Sequence, residues 1–220
     1  MRITTIALPL LALAIGDSAW TKSDSGDVKG TIAVRFKGEL KKDASGVVVY
    51  LEGVTATSAP AAHATIRQVD KQFDPPLSIV VRGTTVDFPN QDKVFHNVFS
   101  VSRPARFDLG LYKSGTTKSV EMKRSGTVDV YCNIHPDMIA KVKVLDNAFY
   151  ATTDASGAFA IPHVPPGEYP VVAWMPSGDE ARGTVTVRPG AAAEVKLEVA
   201  SDGHRETHTR KDGTPYGRYK

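Results

Sequence analysis

The lone cysteine of the chain, Cys132, is followed after two residues by His135 and after two more by Met138, inside TVDVYCNIHPDMIAKVKVL at 127–145. Upstream, VFHNVFS sets His96 in an apolar run that reads as a strand, so a fourth donor can arrive from a neighbouring strand. Thiolate and thioether are soft donors, and imidazole suits copper in either oxidation state. One thiolate, two imidazoles and one thioether therefore make the donor set of a blue-copper electron-transfer centre. Zinc is the competing metal, because Cys132, His96, His135 and Asp137 would also satisfy it. Asp137 reads more simply as a solvated turn residue. Taken singly, each residue has a plainer role: a buried cysteine packs as a small hydrophobe, a histidine as a satisfied polar group, a methionine as core. The combination at this spacing points to a metal.

Such donors must be brought together by strands. Cys132 has to end one, Asn133 and Ile134 carry the chain across the sheet end, Pro136 fixes the turn, and IAKVKVL leaves as the next strand. Earlier, GTIAVRF alternates Ile32, Val34 and Phe36 against Thr31, Ala33 and Arg35, a half-buried strand, and VVVYLEGV at 47–54 reads as a more fully buried one. The small, Pro-containing TATSAPAAHA at 55–64 reads as a junction. From Ala64, short strand-like runs at 64–76, 77–81, 84–88, 94–100, 119–122 and 127–131 follow at the spacing of a β-sandwich. FDLGLYKSG at 107–115 reads as a loop whose Phe107, Leu109 and Leu111 cover the metal end. Phe95, Val98 and Phe99 read as core.

YCNIHPDM resembles the carboxy-terminal ligand loop of cupredoxins, with the Cys-x2-His-x2-Met spacing of the short-loop, amicyanin-like members, and HNVFS resembles their amino-terminal ligand segment. The resemblance spans about 64–145. It implies His96, Cys132 and His135 as equatorial ligands of one type 1 copper ion, Met138 as the weak axial ligand, and Asn97 as the residue that ties the two loops together beneath the sulfur. A second resemblance, through TTDASGAFAIPHVPPGEYPVVAW at 152–174, is to the carboxypeptidase regulatory-like domain, a small transthyretin-like sandwich. In that stretch 154–157 carries a hairpin signal, and His163 reads as a loop residue. That family begins with two strands which resemble GTIAVRF and VVVYLEGV. The expected organisation is an all-β chain with a cupredoxin sandwich at 61–145 inserted into a regulatory-like sandwich built from 27–60 and 146–200. Tandem domains are the simpler alternative. Chains combining these domains resemble proteins labelled as methylamine-utilisation proteins, an association that no residue here demonstrates.

Composition bounds the rest. The 220 residues, 41% of them apolar, suffice for one or two modest cores, and 18 Gly with 14 Pro favour turns and strands. A net charge of +3 is too small to argue for nucleic acid. One cysteine excludes an internal disulfide. Arg2 and the apolar run at 3–15 read as a secretory signal peptide over 1–20, with Asp17 spoiling the cleavage pattern and an uncleaved anchor as the alternative. No later segment reads as a membrane span, which implies a periplasmic or otherwise exported protein. The polar tail, 201–220, reads as disordered, with His204 and His208 as weak metal donors at most.

Four protein ligands leave no obvious open coordination position, and no nucleophile–base pair or carboxylate pair stands out. The expectation is a one-electron carrier, not an enzyme, exchanging electrons with redox proteins such as a dehydrogenase or a c-type cytochrome. The alternatives are a copper-binding or delivery module, and a surface interaction module with a structural metal.

Overall fold

Alternation of apolar and polar residues builds most of this chain, and two stretches that break the alternation show where its halves meet. The computed structural model describes residues 24–55, 63–203 and 207–216. The expected signal peptide at 1–20, most of the 55–64 junction and His204 lie outside the described residues. In chain order the strands are β1 (Gly26–Phe36), β2 (Glu39–Leu40), β3 (Val48–Leu51), β4 (His63–Thr65), β5 (Arg67–Val69), β6 (Gln72–Asp74), β7 (Leu77–Val81), β8 (Thr85–Pro89), β9 (His96–Ser100), β10 (Phe107–Tyr112), β11 (Thr117–Glu121), β12 (Gly126–Cys132), β13 (Ile139–Leu145), β14 (Tyr150–Thr152), β15 (Ala158–Val164), β16 (Gly167–Trp174), β17 (Ala181–Val187) and β18 (Ala192–Ser201). The fold is all-β. No helix among the described residues is long and apolar enough to cross a membrane.

A five-stranded sheet, β10-β9-β12-β13-β7, faces a three-stranded sheet, β11-β8-β4, with the β5-β6 hairpin beside them. Their inward residues form one core that includes Ile66, Phe73, Phe88, Val98, Val128, Val142 and Met138. The other two sheets are β15-β1-β18, carrying β2 on β1, and β14-β3-β16-β17. β1 pairs antiparallel with β15 and parallel with β18 from Asp27 to Phe36, while β3 lies between β14 and β16. The second core therefore joins Val28, Ile32, Val34, Val47, Val49 and Leu51 to Phe159, Val171, Val185 and Val199.

β3 and the end of β16 are apolar without alternation because both of their faces are covered. Val49, Leu51, Val171 and Ala173 point into the second core. Their neighbours Val48, Tyr50, Val172 and Trp174 point outward, where they pack on Leu145, Leu77 and Ile79 of the metal-side sandwich. Lys143, 5% exposed, lies in this seam with its ammonium 4.4 Å from the centre of the Trp174 ring and 5.2 Å from that of Tyr50. Glu180 Oε1 neutralises it at 3.4 Å. A buried ammonium needs such partners, and an aromatic face with a carboxylate supplies them.

Several expectations require correction. FDLGLY is not a loop: Phe107–Tyr112 is an edge strand on β9, and a bulge between Asp108 and Leu111 hides its period. Phe107 and Leu109 pack on the core, but Leu111 is 59% exposed and covers nothing. Phe95, expected in the core with Val98 and Phe99, is 55% exposed, because it precedes β9, all five of whose residues are buried. The 154–157 turn forms, but it is no hairpin, since β14 pairs with β3 and β15 with β1, so the turn carries the chain from one sheet to the other. Gly157 fits there by necessity, at φ +81 and with a Cβ position only 2.2 Å from the Ile32 carbonyl. His163 lies within β15 at φ 57, beside the irregularity in the β1–β15 register, rather than in a loop.

Candidate metal centre

Adjacent strands bring the donors together. β12 pairs antiparallel with β9 so that Cys132 opposes Val98, which sets His96, two residues earlier on β9, beyond the end of that pairing and next to the cysteine. The ligand loop closes on itself through Cys132 N–H to the Met138 carbonyl at 3.3 Å and Met138 N–H to the His135 carbonyl at 3.2 Å. The metal-binding atoms of His96, Cys132 and His135 all lie within 4.8 Å of one another. Both imidazoles present Nδ1 to the sulfur, at 3.8 Å for His96 and 3.6 Å for His135. Their ring centres are 4.9 Å apart at 62°. His96 and Cys132 are wholly buried, and His135 is half-buried. Met138 is buried in the same core as Cys132, on the third residue past His135. Asp137 is exposed and stands outside the cluster.

The electrostatics suit a thiolate. Burial pushes the Cys132 thiol up, but hydrogen bonds from the His96 ring and from the backbone N–H groups of Asn97, Ile134 and His135 outweigh it and hold the thiol below its ordinary range. For His96, burial acts downward, and the contacts with Cys132 and Asp92 overcome it and raise the ring. His135 is lowered, first by burial and then by the charges of His96 and Lys71. Lowering the thiol and the His135 ring favours the deprotonated donors that a soft metal requires.

Asn97 reaches the sulfur by its backbone, while its side-chain Nδ2 donates to Asp108 Oδ1 at 2.7 Å on β10. The side chain thus braces the edge strand rather than the ligand loop. Two contributors escaped the sequence reading. Asp92 accepts from His96 Nε2 at 3.0 Å; its signal was a carboxylate four residues before a buried histidine. The other is the tail.

Residues 207–216, expected to be disordered, lie along the metal end. His208 stacks on Tyr131, with ring centres 4.4 Å apart at 17°, the Tyr216 hydroxyl donates to the Cys132 carbonyl at 2.6 Å, and Lys211 donates its N–H to Asn133 Oδ1 at 2.9 Å and its ammonium to Asp108 at 2.5 Å. Polar composition hid this, because the segment docks by single aromatic and charged contacts without any apolar period. Ending the chain at Gly203 should therefore uncover Tyr131. Its nitration by tetranitromethane is expected to accelerate several-fold over the full chain, and an unchanged rate would show that the tail does not shield it.

The second sandwich, drawn from both ends of the described chain, bears on family membership. Residues 138–214 match the family model for carboxypeptidase regulatory-like domains. The match starts within the ligand loop and spans β13, which pairs with β12 and β7, and it leaves out β1 and β3, which pair in the second sandwich. No curated protein matches the chain. Among solved structures, a purple cupredoxin from Nitrosopumilus maritimus is similar at 23% identity over 37% of this chain and 99% of its own, with a TM-score of 0.34. A reduced mutant of amicyanin is similar at 24% identity over 44% of this chain and 98% of its own, TM-score 0.36. A copper-containing nitrite reductase from Thermus scotoductus SA-01 is similar at 23% identity over 44% of this chain but only 26% of its own, TM-score 0.38.

Proposed function

We propose that this protein is an exported one-electron carrier whose metal-side sandwich holds a single type 1 copper ion, with no catalytic role. The observation that carries the reading is the convergence of His96 Nδ1, His135 Nδ1 and Cys132 Sγ on one buried point. The donor set fits copper, being one thiolate and two imidazoles, with the Met138 thioether close in sequence as a further, weaker soft donor. Copper would supply a reversible one-electron change there. The chain's own part is to fix the donors before the metal arrives, to favour loss of the thiol proton, and to limit water to the His135 side.

His135 is the half-buried ligand, so electrons would pass through its ring to a docked redox protein, with Ile134 and Pro136, both partly exposed, flanking it. Such encounters are small and transient. The reading treats the metal-side sandwich as an insertion into the regulatory-like one. In its support, β13 starts beside the ligand loop and runs to Leu145, about 20 Å away, before the chain re-enters the second sandwich. The other crossing enters at β4, whose His63 pairs with Thr85 at the start of β8, while the Asn90–His96 turn lies beyond the other end of β8. Both crossings are thus remote from His135, so a partner would meet the loop end beside the 207–216 segment, which sits on Tyr131, Cys132 and Asn133.

Voltammetry of the copper-loaded full chain tests the carrier reading. A reversible one-electron wave is expected, and Met138→Leu should keep the visible colour while shifting the wave, because a thioether would be the weakest of the four donors. Loss of copper to a chelator on each reduction would instead support delivery of the ion.

A further inference from the structure

We propose that Asp92 is a positioning residue of the metal centre, holding the His96 ring with Nδ1 toward Cys132 and biasing bound copper toward its oxidised state. The inference rests on the copper reading above and deepens it. His96 is wholly buried, and among the described residues its polar contacts are Cys132 on one side and the Asp92 carboxylate on the other. With the carboxylate ionised, Nε2 carries the proton and donates, so the Nδ1 lone pair is left for the metal.

The carboxylate is itself clamped. Oδ2 also accepts the Lys71 N–H at 2.7 Å and Oδ1 the Lys93 N–H at 3.1 Å. The Asp92 N–H donates to Asn90 Oδ1 at 3.0 Å, and the fully buried Asn90 is fixed in turn by the carbonyls of Val94 at 2.9 Å and Tyr112 at 3.2 Å. Lys71 comes from the β5–β6 turn, where Asp70 and Lys71 both adopt left-handed backbone, φ 50 and φ 57. Non-glycine residues are strained there and persist where the surroundings demand them. The strained hairpin turn therefore delivers a backbone donor to the carboxylate that holds the ligand.

Charge then sets the redox bias. Cu(II) with one thiolate has a net charge of +1, which Asp92 brings to zero. When one electron enters from the redox partner, no bond is made or broken and no proton moves, and the same groups carry −1. In a buried site this unbalanced anion disfavours the reduced form. A backbone carbonyl in place of Asp92 would hold the ring without that bias.

Two substitutions in the full-length protein separate the roles. Asp92→Asn keeps an acceptor of the same size and removes the charge. Affinity for Cu(I) should change less than threefold while affinity for Cu(II) falls, so that the preference for Cu(I) over Cu(II) rises at least tenfold, which for one electron is 59 mV in reduction potential. Asp92→Ala removes the hold on the ring, and zinc affinity, measured by competition with a chelator, should fall about 10–100-fold. The zinc titration is independent of copper chemistry. If the wild type took up copper without colour, the copper reading would fall, while weakened zinc binding in Asp92→Ala would still support the positioning role. Wild-type zinc affinity in Asp92→Ala, or an unchanged or lowered potential in Asp92→Asn, would overturn the proposal.

Discussion

Replacing Cys132 with serine should abolish the intense visible absorption of the copper-loaded protein completely while leaving the fold intact. The absorption arises from charge transfer between a thiolate and copper, and the chain has no second cysteine to supply one. The fold should survive because the pocket around Sγ is made of donors. The backbone N–H groups of Asn97, Ile134 and His135 that lower the thiol can donate equally to a serine oxygen, so no buried donor is orphaned. Visible spectroscopy and far-ultraviolet circular dichroism on the same sample check both halves. A coloured serine variant would mean that sulfur is not the source of the band. A colourless and unfolded one would mean that Cys132 is chiefly core.

The second large effect concerns the halves of the fold. A fragment of residues 146–200 should be unfolded or aggregated, whereas residues 61–145 should fold and bind metal alone. The first fragment retains β14 to β18 up to Ala200 but loses β1, which lies between β15 and β18, and β3, which lies between β14 and β16. Both sheets are thereby split, leaving unpaired edges. The core also loses Val28, Ile32, Val34, Val47, Val49 and Leu51. At about 1.5–3 kcal/mol for each buried aliphatic side chain, that is as large as the about 5–15 kcal/mol by which a domain is ordinarily stable. The 61–145 fragment keeps its own core and every candidate ligand. Amide spectra by nuclear magnetic resonance decide it, since dispersed, cooperatively melting signals from 146–200 would contradict the nested arrangement.

The donors were legible because metal chemistry restricts residue type and spacing more tightly than packing does. Cys132, His135 and Met138 share one loop, and the apolar run at 94–100 marked the strand that adds His96. The uninterrupted apolar run of β3 likewise announced a strand buried on both faces, though not that the metal-side sandwich covers the outer one. What stayed hidden depends on geometry that sequence does not encode locally. The bulge at Gly110 erased the period of β10, the exposure of Phe95 follows from where β9 begins, and Asp92 matters only because a turn folds it over the His96 ring. The 207–216 segment has no pattern of its own, and its docking is set by Tyr131, Asn133 and Asp108 on the surface that receives it.

The central claim is that this buried pocket holds one copper ion through a thiolate and two imidazoles. Its most direct test is the visible and electron paramagnetic resonance spectrum of the full-length protein loaded with a single equivalent of Cu(II). The expected result is an intense visible thiolate band together with the narrow copper hyperfine splitting of a highly covalent copper–thiolate centre. A colourless sample that retains zinc against copper, or a copper signal with the wide splitting of ordinary tetragonal nitrogen and oxygen coordination, would contradict it.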